Sequence, residues 1–258
     1  MTAKPPTVIH SRDNALLKDL RRLAQDSTAY RKQGRVWLEG DHLCSAALAR
    51  GQRPAMAVFS ESFWPVAPVV YAQAATKIIV IADALWPDIS GLESPARMGF
   101  LLPLPQQQQL DAQAPTVVLD RLQDAGNVGS ILRSASAFGF TQIAALKGTA
   151  ALWSAKVLRA GMGAHFALRL VEGLEPQDID ALEVPLLATS SHQGDWLHRA
   201  ALPWPCGWIM GHEGQGVSPE LQQRARQHIR ITQPGGEESL NVGAAAAICL
   251  HASAAARG

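Results

Sequence analysis

The sequence predicts an α/β fold, with a mostly parallel sheet covered by helices on both faces in the C-terminal part and a small α/β domain before it. Three observations support this. After residue 115, apolar runs of strand length alternate with helical patterns, as a parallel sheet with crossover helices requires. The stretch "PLPQQQQLDAQAP", Pro103 to Pro115, is Pro-bracketed, Gln-rich and poor in apolar periodicity, so it reads as a linker. The first hundred residues carry strand and helix signals of their own. A chain of 258 residues suits one large or two modest domains. The division expected is 1–104, a linker at 105–114, and 115–258.

In order, "NALLKDLRRLAQ" reads as a helix with Asn14 at its cap, and "RVWLEG" as a strand. "DHLCSAALARG" is a helix ending at Gly51, and "AMAVFS" and "KIIVIA" are short strands. Beyond the linker come strand "TVVLD", a helix from Asn127, strand "QIAAL", helix "SAKVLRAG" and strand "FALRLV". Then follow "PLLATS", "GWIMG", a helix opening at Ser218-Pro219-Glu220, strand "HIRIT" and a final Ala-rich helix.

With 47% hydrophobic and 17% charged residues, the chain has enough apolar material for a globular core. Cys44, Cys206 and Cys249 lie far apart, without CxxC or metal-ligand spacing, which argues against a disulfide framework or a metal site. The first residues lack a signal-peptide core, and the longest apolar run, near Val242 to Leu250, is too short to span a bilayer. A cytoplasmic protein without membrane or metal partners is expected. The formal net charge of +1 conceals an asymmetry: up to residue 50, nine bases face five acids. Lys18, Arg21, Arg22, Arg31, Lys32 and Arg35 form either a solvated helix face or a phosphate-facing RNA surface.

Three loops at strand ends hold the unusual residues. The first, Asp124 to Gly129, feeds a helix that carries Arg133 amid apolar neighbours. The second, "MGHEGQGVSPE", surrounds Glu213 with glycines. The third, "ITQPGGEESLNVG", leads into the last helix. Each has a plain structural alternative. Asn127 and Ser239 suit helix caps, Arg133 can snorkel, and Glu213 can be a turn carboxylate. Together they place Asn127, Arg133, Glu213, Ser239 and Asn241 around one crevice, provided the three strand ends are neighbours. Neither GxGxxG nor GxxxxGK[ST] occurs, which disfavours a dinucleotide enzyme and a P-loop.

These segments resemble the three motifs of the SpoU (TrmH-like) family of RNA 2′-O-ribose methyltransferases in the SPOUT superfamily. The likeness rests on Asn127-Val128-Gly129-Ser130-Ile131-Leu132-Arg133, on Gly211-His212-Glu213-Gly214-Gln215-Gly216, and on Ile231 through Ser239-Leu240-Asn241-Val242. "SAKVLRAGMGAHF" resembles the family's segment between the first two motifs. The N-terminal part is similar, less specifically, to the family's auxiliary domain, akin to a small ribosomal RNA-binding protein. Four positions, at three places, depart from the pattern. Ala125 stands where proline is usual, Thr232-Gln233 where Pro-Met is usual, and Gly243 where serine is common.

The resemblance implies a deep trefoil knot in the C-terminal domain and a homodimer formed through it. It implies methyl transfer from S-adenosylmethionine to a ribose 2′-hydroxyl of rRNA or tRNA. The cofactor would be held near Thr189, Met210, Gly211, Gly216, Ile231 and Leu240. Asn127, Arg133, Glu213, Ser239 and Asn241 would carry catalysis. A guanidinium is a poor proton acceptor and a good planar donor, so Arg133 suits a phosphate clamp and alkoxide stabiliser better than a base. The alternative on the same scaffold is an RNA-binding protein without catalysis.

Overall fold

The computed structural model describes residues 5–191, 193–235 and 239–257. Lys4 and residues 236–238 of the third loop lie outside them. The chain forms two compact units, one of residues 1–106 with Trp153–Phe166 and the other of 107–152 with 167–258.

The first unit contains strands β1 (Thr7–Ile9), β2 (Arg35–Glu39), β3 (Met56–Ser60), β4 (Lys77–Ile81) and β5 (Met98–Pro103), in the sheet order β1-β4-β3-β5-β2. Its helices are α1 (Ala15–Gln25), α2 (Ala29–Gln33), α3 (Asp41–Ala49) and α4 (Val69–Ala74). Asn14 caps α1 by accepting from Leu16 N at 2.9 Å, as its residue type suggests. β5 pairs antiparallel with β2 and β3, and was missed in the sequence. Its Gly99 interrupts the apolar alternation because the Trp37 ring lies across it, where a Cβ would come within 2.2 Å of the indole.

The second unit contains β6 (Thr116–Leu119), β7 (Gln142–Leu146), β8 (Arg169–Leu174), β9 (Leu186–Thr189), β10 (Asp195–Trp196), β11 (Gly207–Met210) and β12 (Gln227–Arg230). Their order is β10-β12-β9-β11-β6-β7-β8, and every pairing is parallel. Helices α5 (Ala125–Ala137), α7 (Pro219–Arg224) and α8 (Val242–Ala255) belong here. α6 (Ala155–Gly161) instead packs on β2 and α1 of the first unit, a placement that linear order hides. Adjacent residues of β11 show that both sheet faces are covered, since successive strand side chains point oppositely. Trp208 Nε1 donates to Ser253 Oγ on α8 at 2.9 Å, whereas Ile209 packs with Leu221 of α7. At the β10 edge, the Arg230 guanidinium lies 3.8 Å from the centroid of the Trp196 ring, and its Nε donates to Gly194 O.

The expected linker is partly docked. Gln142 is fully buried, so its amide needs partners. It accepts from Asp111 N at 2.8 Å and donates to Asp111 O and to Thr116 Oγ1. Glu183 N also donates to Ala112 O. Residues 107–114 are therefore strapped to the second unit. All three cysteines are free and buried. Among the described residues, no helix is long and apolar enough to cross a membrane.

Ser253→Ala should leave the buried indole donor of Trp208 unpaired and cost about 1–3 kcal/mol. Urea unfolding checks this, and an unchanged midpoint would show that the bond contributes nothing.

Candidate functional site

In the second sheet, β7 and β8 extend to one side of β6, while β11, β9 and β12 extend to the other. In such sheets the crevice for ligands opens at the carboxyl ends of the strands, where the order reverses. The loops after β6, β11 and β12 meet there.

α5 begins at Ala125, two residues before the sequence suggested. Asp124 is its cap, accepting from Asn127 N at 2.7 Å. The Asn127 side chain is thereby released from capping and turned to other partners. Its Nδ2 donates to Glu213 Oε1 at 3.3 Å, and its Oδ1 accepts from Asn241 Nδ2 at 2.9 Å. Asn241, rather than Ser239, caps α8, with Oδ1 accepting from Gly243 N and Ala244 N. One hydrogen-bonded chain thus joins all three loops. α5 and α8 approach closely because residue 243 is glycine, where a Cβ would sit 2.6 Å from Ser130 Oγ.

The Glu213 loop is closed by a bridge between His212 and Gly216. Glu213 accepts from Gln123 N at 3.2 Å and Asp124 N at 3.1 Å, two amides at the mouth of α5. Burial opposes ionisation of Glu213, but amide hydrogen bonds from Glu213 itself, Asp124 and Gln123, with help from Asn127, outweigh it and hold the carboxyl below its usual range. A second bracket went unnoticed in the sequence. Buried Asp120 accepts from Ser218 N at 2.6 Å and from Arg121 Nε at 2.8 Å, while Arg121 Nη1 donates to Gln215. Arg121 holds a left-handed φ of 60°, which side chains adopt only under constraint. An acid followed by a base at a strand end was the signal available.

Beside this chain lies a cavity of about 610 Å³, within the range of small-molecule sites. Thr189, Gly211, Gly216, Ile231 and Leu240 line it, as do Glu213, Ser239 and Asn241. Met210 does not. It is fully buried as the last residue of β11, with its carbonyl accepting from Asp120 N. Arg133 is exposed, does not line the cavity, and makes no hydrogen bond or salt bridge with a described residue. The cavity suits a nucleoside. Gly211 lies so close to the backbone of Gly216 and Val217 that a Cβ would approach within 2.2 Å, and Ile229, Ile231, Leu240 and Val242 offer an apolar wall.

A profile described as the SpoU rRNA Methylase family matches residues 114–251, which contain all three loops. The chain belongs to the SpoU rRNA methylase family. A Bacillus subtilis relative, 23S rRNA (guanosine(2553)-2′-O)-methyltransferase RlmP, is 26% identical over 247 residues, covering 94% of this chain and 97% of its own. An uncharacterized tRNA/rRNA methyltransferase of Synechocystis is 31% identical over 255 residues, covering 94% and 92%. The solved structure of an AdoMet-bound rRNA methyltransferase from Sinorhizobium meliloti shares the fold. It has a TM-score of 0.82 at 24% identity, covering 96% of this SpoU family member and 97% of that chain.

The expected basic face, in the first unit, divides in two. Lys18, Arg21 and Arg35 are paired with Asp13, Asp88 and Asp19, at 3.0, 2.8 and 3.0 Å. Arg31 donates from Nε to Tyr30 OH at 3.1 Å. Arg22 and Lys32 are exposed, outside any salt bridge among the described residues.

A carboxyl whose folded pKa is lowered stabilises the fold above its unfolded value and loses that contribution as pH falls through the folded one. The stability difference between the wild type and Glu213→Gln should therefore be full at neutral pH and shrink below about pH 4.5, the ordinary glutamate value. Denaturation midpoints across that window measure it, and a pH-independent difference would contradict the assignment.

Proposed function

We propose that this protein is an RNA methyltransferase that transfers a methyl group from S-adenosylmethionine to a ribose 2′-hydroxyl. The observation that carries the reading is the Glu213–Asn127–Asn241 chain, which ties the three family loops together at the rim of a nucleoside-sized cavity. The acting groups of the motifs are all present, which favours an enzyme over an inactive scaffold protein. The named B. subtilis relative acts on 23S rRNA, which supports ribosomal RNA as the substrate class.

When bound, S-adenosylmethionine supplies an electrophilic methyl group. The chain supplies the positioning. Backbone at Thr189, Gly211, Gly216, Ile231 and Leu240 holds the nucleoside, and Ser239 and Asn241 border the transfer site. Asn127, fixed by Glu213 and Asn241, keeps one geometry and orients the ribose; aligning two reactants contributes on the order of 7–11 kcal/mol. Arg133 clamps the phosphate beside the reacting ribose and stabilises the developing alkoxide. Its exposure suits contact with RNA, or with the cavity of a second copy in a homodimer formed by the C-terminal domain. The first domain, akin to a small ribosomal RNA-binding protein, grips the RNA. Family membership further supports a trefoil knot and a cytoplasmic setting.

The direct test is transfer of a labelled methyl group to unmodified ribosomal RNA, followed by alkaline hydrolysis. A 2′-O-methylated dinucleotide resists cleavage, and label confined to mononucleotides would refute the reading. Arg133→Ala should lower single-turnover methylation by about a hundredfold or more, roughly 3 kcal/mol, while cofactor binding persists. A wild-type rate at saturating RNA would make Arg133 a mere surface residue. Removing both Arg22 and Lys32 should weaken RNA binding and reduce its salt slope by roughly one to two, with folding intact. Unaltered salt dependence would move the RNA path elsewhere.

A further inference from the structure

Two residues after β6, Arg121 holds a left-handed conformation, with φ at 60°, that a residue with a side chain keeps only when its surroundings impose it. Two partners grip its guanidinium. Buried Asp120 accepts from Nε at 2.8 Å, and Gln215 accepts from Nη1 at 3.2 Å. The side chain nevertheless keeps 36% of its surface open. Backbone strain retained to fix an accessible donor marks a group aimed at something outside the fold. Arg121 lines a second cavity, of about 570 Å³, formed where β6, β7 and β8 end. Gln215 joins this cavity to the first, because it lines that one and holds the arginine of this one.

The lining selects the ligand. A cleft that gathers phosphate carries one sign of charge. Here Arg121, Lys147 and Arg224 stand against Asp120, Glu175 and Glu220. Each of the three bases is also ion-paired, with Asp120, Glu175 and Asp180 in turn. Such a wall repels an anion as much as it attracts one. A neutral, flat group with polar edges meets both signs, and Leu146, Leu174 and Pro176 supply apolar surface for its face. In RNA that group is an unstacked base, read by hydrogen bonds along its edges. A guanidinium has more N–H donors than Asp120 and Gln215 engage, so the base must bring an acceptor. Guanine does so with O6 and uracil with O4, while adenine and cytosine carry an amine in the same place and would set donor against donor. We propose that this cavity receives a guanine or uracil of the substrate RNA, its carbonyl oxygen accepting from Arg121. The inference rests on the RNA reading above.

Fluorescence anisotropy on the full-length protein tests it. The probes are four short labelled RNA strands of adenine and cytosine that differ in one central base: guanine, uracil, adenine or cytosine. The wild type should bind the guanine or the uracil strand about tenfold more tightly than the other two, and the stronger of these identifies the occupant. Arg121→Lys keeps a charge beside Asp120 but loses the planar, doubly held donor. It should reduce the preference to about twofold or less, and Arg121→Met should abolish it. Both variants should still bind S-adenosylhomocysteine, which shows that the second unit is folded. A wild type without preference, or an Arg121→Lys protein that keeps it in full, overturns the proposal. So does an equal loss on all four strands, which would make Arg121 a phosphate contact. If the wild type binds none of the strands yet methylates ribosomal RNA, the function stands and the cavity is no base site. If it does neither, the RNA reading itself falls, and this proposal with it.

Discussion

The second unit's site depends on a demand made by one carboxylate. Besides the amide of its own loop, Glu213 takes hydrogen bonds from amides at the mouth of α5 and from Asn127. That draws the loop after β11 against the loop after β6. Asn127, already spoken for on its donor side, turns its carbonyl to Asn241 and brings in the start of α8. Each asparagine uses both ends of its amide. Networks of this kind are rigid only when every member is satisfied, so removing one partner disturbs groups on three loops.

Backbone features that look incidental follow from this grip. α5 and α8 must meet near their first turns, and Gly243 removes the side chain that would keep Ser130 away. The Glu213 loop must fold back tightly, and Gly211 lets its two arms touch. Arg121 accepts an unfavourable backbone conformation because Asp120 and Gln215 hold its guanidinium from two sides. The cavity takes its shape from these compromises.

Much of this was legible in the sequence, and the misses have physical reasons. Period and turn chemistry located nearly all the strands of the second sheet, because strands buried on both faces are continuous apolar runs. β1 and β10 are too short for any period, and β5 is masked by Gly99. The three loops were recognisable by residue type, whereas the division of labour within them was not. Asn127 and Asp124 are both good caps, and only coordinates show that the aspartate caps while the asparagine bridges. Met210 lies one residue before a cavity-lining glycine, and sequence cannot tell buried strand from open loop at that resolution. The basic face was visible as a charge count, but Asp13, Asp19 and Asp88 are drawn onto half of it by the fold.

The β10 edge has a different kind of significance. A sheet border with free amides and carbonyls is a template on which another chain can polymerise. Here the outermost strand is two residues long, the Gly194 carbonyl is taken by Arg230, and the same guanidinium roofs the Trp196 ring. A border strand of two residues gives a stray strand almost no length over which to find a register, so on that side the seven-stranded parallel sheet ends in a poor template for further growth.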